Sequence, residues 1–289
     1  MAAHRSPALI TLTEGIEMAF PNRPIAFVLA ASNHGTMIVN RHDHNTAAEG
    51  YTYGVGHQIL QNGCFDASEI GFVLAMLTRR RELHGDGIVA IDGGANIGVH
   101  TIEWARHMHG WGRVLSFEAQ EIVFYALAGN IALNNCLNAR AKLAALGERC
   151  GELVVPQPDY LSHASFGSLE LRRRDGNEFI GQVISYDTAA GTTVPMVSID
   201  SLGLARVDLI KLDIEGMELE ALTGARDTLR RCRPMLTIEV LKTDPVLVER
   251  FLDEFGYRCV PAGLNMIAVH RDDPVSPHLQ QGDGVVYIS

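Results

Sequence analysis

A short apolar run that ends in an acid and two glycines begins the most regular part of the chain. Ile88 to Ile91 are all apolar, and Asp92, Gly93 and Gly94 follow them directly. A continuous apolar run of this length before a glycine turn is typical of a strand buried in a parallel sheet. Beyond Gly98 the apolar positions recur at intervals of three, which predicts a helix. The pattern therefore predicts a strand, a glycine turn and a helix in succession.

The same alternation continues downstream. We expect a second strand over Val114 to Phe117, a helix from about Glu121 to Asn134, and a third strand over Ala141 to Leu146. Three such steps in a row predict a parallel sheet covered by helices.

Residues 147–194 interrupt this alternation with glycine, serine, proline and charged residues. Two short pieces within them resemble strands, Leu153 to Val155 and Gln182 to Ser185, and we interpret the stretch as an insertion over the sheet. Regular elements return after it: strands over Val194 to Ile199, Leu209 to Leu212 and Met235 to Val240, helices carrying Leu219 to Leu229 and Val248 to Phe255, and a hairpin of Tyr257 to Val260 with Asn265 to Val269.

Together these elements predict a Rossmann-like α/β fold, with a mostly parallel sheet closed by an antiparallel C-terminal hairpin. The N-terminal part differs in character, with strand-like Ile25 to Leu29 and Met37 to Val39 before a helix carrying Ile70 to Leu77. We expect it to cover the mouth of the site as a cap. The predicted division is 1–84 for the cap segment, 85–271 for the main domain with its insertion 147–194, and 272–289 for a tail.

Charge narrows the range of partners. The 289 residues carry a formal net charge of -10, so the chain would repel a nucleic-acid backbone. We expect the basic clusters Arg79 to Arg81 and Arg172 to Arg174 to be a solvated helix end and loop. The five scattered cysteines predict free thiols, and Ile25 to Ala31 is too short to span a bilayer. A cytoplasmic protein that does not associate with a membrane is the expectation.

The glycine turn from Asp92 to Gly98 is the first candidate for a ligand site. Gly94 and Gly98 have a steric reason to be glycine where backbone approaches a nucleotide. Alone, the turn fits a structural turn, a dinucleotide fingerprint or a methyltransferase motif equally well. The second glycine of G-x-G-x-x-G is missing, and the Asp92 carboxylate suits a cationic ligand better than a diphosphate.

Glu118 ends the second predicted strand. An acid at this place accepts hydrogen bonds from ribose hydroxyls in nucleotide-binding α/β folds. It therefore favours an adenosine ligand, without distinguishing NAD from S-adenosylmethionine.

Several motifs in order are similar to the FkbM-type methyltransferases. They are Asp92 to Gly98 with Thr101, Phe117 to Ala119, Asn130 to Asn134, Ala144 to Gly147, and Ile210 to Glu218 with the following Leu222 and Gly224. The resemblance spans about Ile88 to Val240. One departure is Ala119, where the family often has proline.

This resemblance implies a class I methyltransferase that uses S-adenosylmethionine, acting on an oxygen of a sugar, glycan or polyketide-type natural product. It implies cofactor contacts from these residues: Asp92, Gly94, Asn96, Gly98, Thr101, Glu118, Ala145 and Leu146. A small-molecule or glycan acceptor is the expected partner. The rival interpretations are an NAD-dependent oxidoreductase and a non-catalytic nucleotide-binding module.

The Lys211 to Glu215 stretch is the candidate catalytic motif. If the strand continues, Lys211, Asp213 and Glu215 point to one side at its carboxyl end, where ligands of open α/β sheets bind. We expect Asp213 to lie nearest the methyl group or acceptor, organised by the other two residues. The alternative is a structural Lys211 ion pair. Glu239 is a second candidate, and with Asp213 and Glu215 it could hold Mg²⁺, a role that we do not favour.

Overall fold

The computed structural model describes residues 23–282 and 285–289. The strands are β1 (Phe27–Ser32), β2 (Gly35–Asn40), β3 (Asn45–Thr46), β4 (Thr52–Tyr53), β5 (Ile88–Gly93), β6 (Gly112–Glu118), β7 (Ala139–Leu143), β8 (Ala145–Leu146), β9 (Gly151–Val155), β10 (Thr192–Val197), β11 (Leu209–Leu212), β12 (Met235–Glu239), β13 (Tyr257–Ala262), β14 (Asn265–His270), β15 (Leu279–Gly282) and β16 (Val285–Ile288). The helices are α1 (Val55–Asn62), α2 (Ala67–His84), α3 (Val99–His107), α4 (Glu121–Leu133), α5 (Glu218–Thr223), α6 (Arg226–Cys232) and α7 (Pro245–Asp253). Within these described ranges, no helix combines the length and apolar character needed to cross a bilayer.

A seven-stranded sheet in the order β13-β14-β12-β11-β5-β6-β7 forms the centre of the molecule. Strands β12, β11, β5, β6 and β7 are parallel, whereas β14 runs antiparallel to both β12 and β13. The predicted fold class, with its antiparallel C-terminal hairpin, is confirmed. From β5 the chain continues to β6 on one side and later returns to β11 on the other. The carboxyl ends of β5 and β11 therefore flank the switch point where α/β sheets bind ligands.

Helices cover both faces of the sheet. Ala90 of β5 belongs to the core beneath α2 and α3, whereas its neighbour Ile91 belongs to the core beneath α5, α6 and α7. Successive strand residues point to opposite faces, which is why a continuous apolar run was needed there.

The N-terminal segment packs directly on this body. Met37 and Ile59 are buried in the same core cluster as Ile88 and Trp104, and α2 contacts both β5 and α3. The hairpin β1–β2 packs on α4. The sequence pattern predicted neither helix α1 nor the short β3–β4 ladder. The predicted boundaries between the cap segment, the main domain and the tail stay predictions.

Four local predictions were wrong for tertiary reasons. The helix expected over Leu219 to Leu229 breaks into α5 and α6 at Gly224, where a Cβ would lie 2.2 Å from the Gly147 carbonyl oxygen. The strand expected over Ala141 to Leu146 divides at Ala144, because β8 leaves the central sheet to pair with β10.

The other two errors concern the insertion and a basic cluster. Gln182 to Ser185 forms no strand, and the Gln182 carboxamide hydrogen-bonds the Asp159 backbone through both its oxygen and its nitrogen. Arg80 is not solvated: it is 4% exposed and pairs with both Asp208 and Asp273. By contrast, the prediction that the five cysteines are free thiols is confirmed.

Candidate active site

A cavity of about 1060 Å³ opens at the carboxyl ends of the central strands. The glycine turn and the ends of β6, β11 and β12 form its floor. Residues of α1, α2 and the insertion form its sides, together with the β13–β14 hairpin. The cavity therefore lies at the switch point between β5 and β11, and it is larger than a single cofactor-sized ligand needs.

The glycine turn is held tightly between the end of β11 and helix α4. Gly94 has a φ of +72°, and a Cβ there would lie 1.7 Å from the carbonyl oxygen of Asp213. Gly98 has a φ of +94°, and a Cβ there would meet the Leu127 side chain at 2.6 Å. Both positions require glycine because the conformation is left-handed and the space is already filled.

Glu118 closes this turn from the end of β6. Its carboxylate accepts hydrogen bonds from the backbone N–H groups of Asn96 at 2.9 Å and Gln120 at 2.7 Å. Burial raises the pKa of Glu118 to about 7, and these amide donors partly oppose that shift. Glu118 and Asn96 both line the cavity. Glu118, the predicted ribose-binding acid, thus lies at the cavity wall, and its hydrogen bond with Asn96 of the glycine turn fixes its position.

Asp92 lies behind the wall rather than in it. It is fully buried, and its Oδ2 accepts a hydrogen bond of 2.6 Å from the Thr101 hydroxyl. Its Oδ1 has no hydrogen-bond partner among the described residues. Asp92, Thr101 and Gly98 do not line the cavity. These three residues lie behind those that line the cavity, and the cofactor contact expected of them stays a prediction.

Lys211 and Asp213 form an ion pair at the end of β11. The Lys211 ammonium is 4% exposed and donates a hydrogen bond of 2.9 Å to Asp213 Oδ2. Burial lowers the pKa of Lys211, but the carboxylates of Asp213, Asp92 and Glu69 outweigh it and leave that pKa above its ordinary value. Asp213 itself is half-buried and lines the cavity. This contact fits both an orienting role for Lys211 and the alternative of a structural ion pair.

Glu215 takes a different partner from the one expected. Strand β11 ends at Leu212, and Glu215 has a left-handed φ of +55°, so the strand alternation does not extend to it. Its Oε2 lies 2.5 Å from Lys242 Nζ in an ion pair. Burial raises the pKa of Glu215, while Lys242 opposes the shift. Glu215 still lies near Asp213, but it does not organise that side chain through a shared strand face.

The last acid of the motif shapes the loop. Glu218 is 1% exposed, and its Oε1 accepts hydrogen bonds from the backbone N–H groups of Ile214 and Gly216. Its other oxygen accepts one from the Thr243 hydroxyl. The acid at the end of the motif thus fixes the backbone that carries Asp213 and Glu215.

Glu239, at the end of β12, completes a group of three carboxylates. One oxygen each of Asp213, Glu215 and Glu239 lies within 4.8 Å of the others. Within the described part of the chain, no group hydrogen-bonds the Glu239 carboxylate. Burial and the nearby Asp213 raise the pKa of Glu239 to about 8, with Lys211 opposing. Glu239 is therefore a basic, unpaired carboxyl beside an ion-paired one.

Comparison with known proteins now identifies the fold and its motifs. The methyltransferase FkbM domain family matches residues 92–259, more than half of the chain. The chain belongs to this family. It is a methyltransferase, and the resemblance drawn from the motifs is confirmed.

Two curated fungal proteins are similar to this FkbM domain protein. Methyltransferase 1 of Beauveria bassiana (strain ARSEF 2860) is 26% identical over 206 residues, which cover 68% of this chain and 79% of the relative. Methyltransferase sdnD of Sordaria araneosa is 24% identical over 211 residues, covering 63% and 81%.

Among solved structures, methyltransferase FkbM from Methylobacillus flagellatus KT is 20% identical, with a TM-score of 0.43. The similarity covers 64% of this chain and 44% of that protein, so this chain spans less than half of the length of that structure.

In this FkbM domain the remaining predicted cofactor residues also line the cavity. Ala145 and Leu146 form β8, are nearly fully buried, and line the cavity. The parallel pairing of β8 with β10 holds them there. The structure thus brings Gly94, Asn96 and Glu118 together with these two residues on one wall.

Sequence reasoning missed several polar cavity residues that come from outside the motifs. Glu69 is in the first turn of α2, His100 is in α3, and Asn265 begins β14. Lys242, which pairs with Glu215 and Glu178, was also missed. The only sequence signal was the position of Glu69 three residues after Asp66, which indicates helix capping and no ligand.

The His42-Asp43-His44 triplet serves an internal contact. Asp43 is buried and accepts backbone hydrogen bonds from Gly56 in α1 and Phe166 in the insertion. The ring of His44 stacks on His163, with centroids 5.6 Å apart. Asp43 thus joins the N-terminal segment to the insertion.

Proposed function

We propose that this protein transfers a methyl group from S-adenosylmethionine to a hydroxyl oxygen of a sugar, glycan or polyketide-type natural product. The observation that carries the proposal is the position of Glu118. Its buried carboxylate lies at the carboxyl end of β6, hydrogen-bonded to the glycine turn, on the wall of a cavity at the switch point.

The residues of this wall fit the proposed cofactor. Glu118 would accept hydrogen bonds from the ribose hydroxyls, and the apolar Ala145 and Leu146 would contact the adenine. The backbone at Gly94 and Asn96 would lie along the amino-acid part, since the missing Cβ at Gly94 leaves the turn close to β11. Gly98, Asp92 and Thr101 would act by holding the turn in shape. When bound, S-adenosylmethionine supplies an electrophilic methyl group on a sulfonium.

The task left to the protein is to position the acceptor and to remove its proton. Asp213 is the first candidate base. Lys211 Nζ donates a hydrogen bond of 2.9 Å to Asp213 Oδ2 and so holds this carboxylate in position. Glu239 is the second candidate base: with a pKa raised to about 8, its ionised form is a stronger proton acceptor than an ordinary carboxylate, and that form predominates above this pH. Glu215 would contribute indirectly, by keeping Lys242 at the loop.

A binding experiment tests the cofactor assignment without knowledge of the acceptor. We expect S-adenosylhomocysteine to raise the melting temperature. At a ligand concentration of a hundred times Kd, the free energy of unfolding should increase by about 2.7 kcal/mol. NAD is expected to give no shift. Stabilisation by NAD alone would favour the oxidoreductase interpretation, and no shift with either ligand would favour the non-catalytic module.

Glu118→Ala tests the residue that carries the proposal. Loss of hydrogen bonds to a charged group is worth about 1.5–3 kcal/mol, so affinity for S-adenosylhomocysteine should fall by at least about tenfold. Glu152→Ala, which removes an exposed acid on β9, is the matched control and should bind normally. Unchanged binding by Glu118→Ala would remove the ribose assignment.

A further inference from the structure

Near the Lys211 and Asp213 pair, the cavity has a second polar group that the proposed reaction does not use. Its members are Glu69, His100 and Asn265, all of which line the cavity. Asn265 Nδ2 donates a hydrogen bond of 3.0 Å to Glu69 Oε2, and His100 Nε2 lies 3.8 Å from Glu69 Oε1. Three separate elements, α2, α3 and the hairpin, thus place these side chains together.

His100 provides independent support for a ligand at this place. The residue is 7% exposed, and its Nδ1 has no hydrogen-bond partner among the described residues. Burial lowers its pKa well below the ordinary value, with further lowering by Lys211, so the ring is neutral and keeps one donor and one acceptor nitrogen. Nδ1 itself is closed off from the cavity, whereas Nε2 lies 3.8 Å from Glu69, makes no hydrogen bond to the described residues and is left for a ligand group.

Apolar side chains adjoin this polar group. Phe72 lies one turn after Glu69 on α2, and Ile267 lies two residues after Asn265, on the same face of β14. Both line the cavity, as do Phe65 and Val286, and α2 contacts β16. The region therefore offers hydrogen bonds on one side and an apolar surface on the other, the usual composition of a small-molecule site.

The charge of the cavity limits what it can accept. Eight of its lining residues are Asp or Glu and only two are lysine. Lys211 is paired with Asp213, and Lys242 is paired with Glu178 and Glu215. Among the described residues that line the cavity, no cation is left unpaired for a phosphate, sulfate or carboxylate, and an anion would enter against like charge.

We propose that Glu69, His100 and Asn265 form the acceptor subsite, and that this subsite takes an uncharged, hydroxyl-bearing molecule with an apolar face. The Glu69 carboxylate accepts a hydrogen bond from one hydroxyl of the methyl acceptor. Asn265 and His100 each donate or accept a hydrogen bond at a neighbouring hydroxyl. The acidic lining excludes the same skeleton when it carries a carboxylate or phosphate. This inference rests on the proposed function, because an acceptor subsite presupposes a bound methyl donor beside it.

Ligand-observed NMR on the protein saturated with S-adenosylhomocysteine tests the subsite. The probes are aryl glycosides and hydroxylated aromatic lactones, each with its matched carboxylate and phosphate ester. The measurement is made at a pH above the pKa of Glu69, which burial raises to about 7. Under this condition neutral probes should bind at least about tenfold more tightly than their anionic partners. Glu69→Ala should weaken neutral probes by about tenfold while S-adenosylhomocysteine binding is retained.

The controls separate this inference from the proposed function. Glu82→Ala removes an exposed acid at the far end of the same helix and should leave both binding reactions unchanged. Glu69→Gln should keep neutral probes and bind anionic ones more tightly than wild type. Equal binding of anionic and neutral probes, no binding of any probe, or a tenfold loss of S-adenosylhomocysteine affinity in Glu69→Ala would each overturn the subsite. Failure of S-adenosylhomocysteine to bind the wild type would overturn the proposed function instead.

Discussion

The carbonyl oxygen of Asp213 occupies the space that a side chain on Gly94 would need, with a Cβ-to-oxygen distance of only 1.7 Å. The relationship joins the glycine turn after β5 to the candidate catalytic motif after β11. Because backbone cannot yield as a flexible side chain can, the two motifs can coexist only if this residue is glycine.

Gly94→Ala should therefore destabilise the protein strongly and abolish binding of S-adenosylhomocysteine. The left-handed φ alone costs an alanine about 1–2 kcal/mol, and the clash adds to it by displacing the Asp213 loop. Gly110→Ala is the matched control, since Gly110 has a φ of +81° with open space around the added Cβ. Urea unfolding and calorimetric binding measure both effects. Equal losses of stability in the two variants would mean that the contact with Asp213 carries no energy.

Much of this site was accessible from sequence because its signals are local. Ile88 to Ile91 is an apolar run with an acid and glycines at its end, and Glu118 terminates the next apolar strand. Parallel strands bring their carboxyl ends to one edge, so the proximity of Gly94, Glu118 and Asp213 follows from their places after strands.

The parts that sequence reasoning missed depend on contacts between distant segments. Glu69 reaches the cavity because α2 packs on β5, and Asn265 does so because β14 returns antiparallel beside β12. Neither residue carries a local pattern that differs from a capped helix or a hairpin strand. Likewise, the helical periodicity around Gly224 gave no sign of the Gly147 carbonyl that breaks the helix.

Titration of Glu118 should make stability fall as pH rises from 4.5 towards 7. Burial raises its pKa from 4.5 to about 7 in the folded protein, so the unfolded chain releases this proton first. Across that window the folded state binds more protons, and its stability decreases with pH and then levels off. In Glu118→Gln this contribution is absent, so the variant should gain stability relative to wild type over the same window. A difference that stays constant with pH, measured by urea unfolding, would contradict the raised pKa.

Removal of metal ions should leave the protein unchanged. The Asp213, Glu215 and Glu239 oxygens lie within 4.8 Å of one another, but Lys211 and Lys242 already supply two positive charges to this group. After exhaustive chelation we expect the same melting temperature and the same affinity for S-adenosylhomocysteine. Recovery of stability on adding Mg²⁺, abolished by Glu239→Gln, would show instead that the carboxylates share an ion.

Lys211→Met should cost more stability than Asp213→Asn. Removing the buried ammonium leaves the fully buried Asp92 and the half-buried Asp213 without their cation, a change worth about 3 kcal/mol or more. Asp213→Asn leaves Lys211 beside Asp92, so these two buried charges still compensate each other. The double variant should recover part of the stability that Lys211→Met loses. A double-mutant cycle then gives the coupling energy between Lys211 and Asp213. A larger loss in Asp213→Asn than in Lys211→Met would reverse this assignment.

Asp43→Ala should loosen two walls of the cavity at once. The two Asp43 oxygens accept separate hydrogen bonds, from Gly56 N–H at 2.8 Å and from Phe166 N–H at 3.0 Å. Without them two buried amides lose their partner, at about 1–3 kcal/mol each, so hydrogen exchange at both should accelerate while β11 amides stay protected. Asp43→Asn keeps one acceptor oxygen and should release only one of the two amides. Retained protection at both amides in Asp43→Ala would mean that other contacts hold α1 and the insertion together.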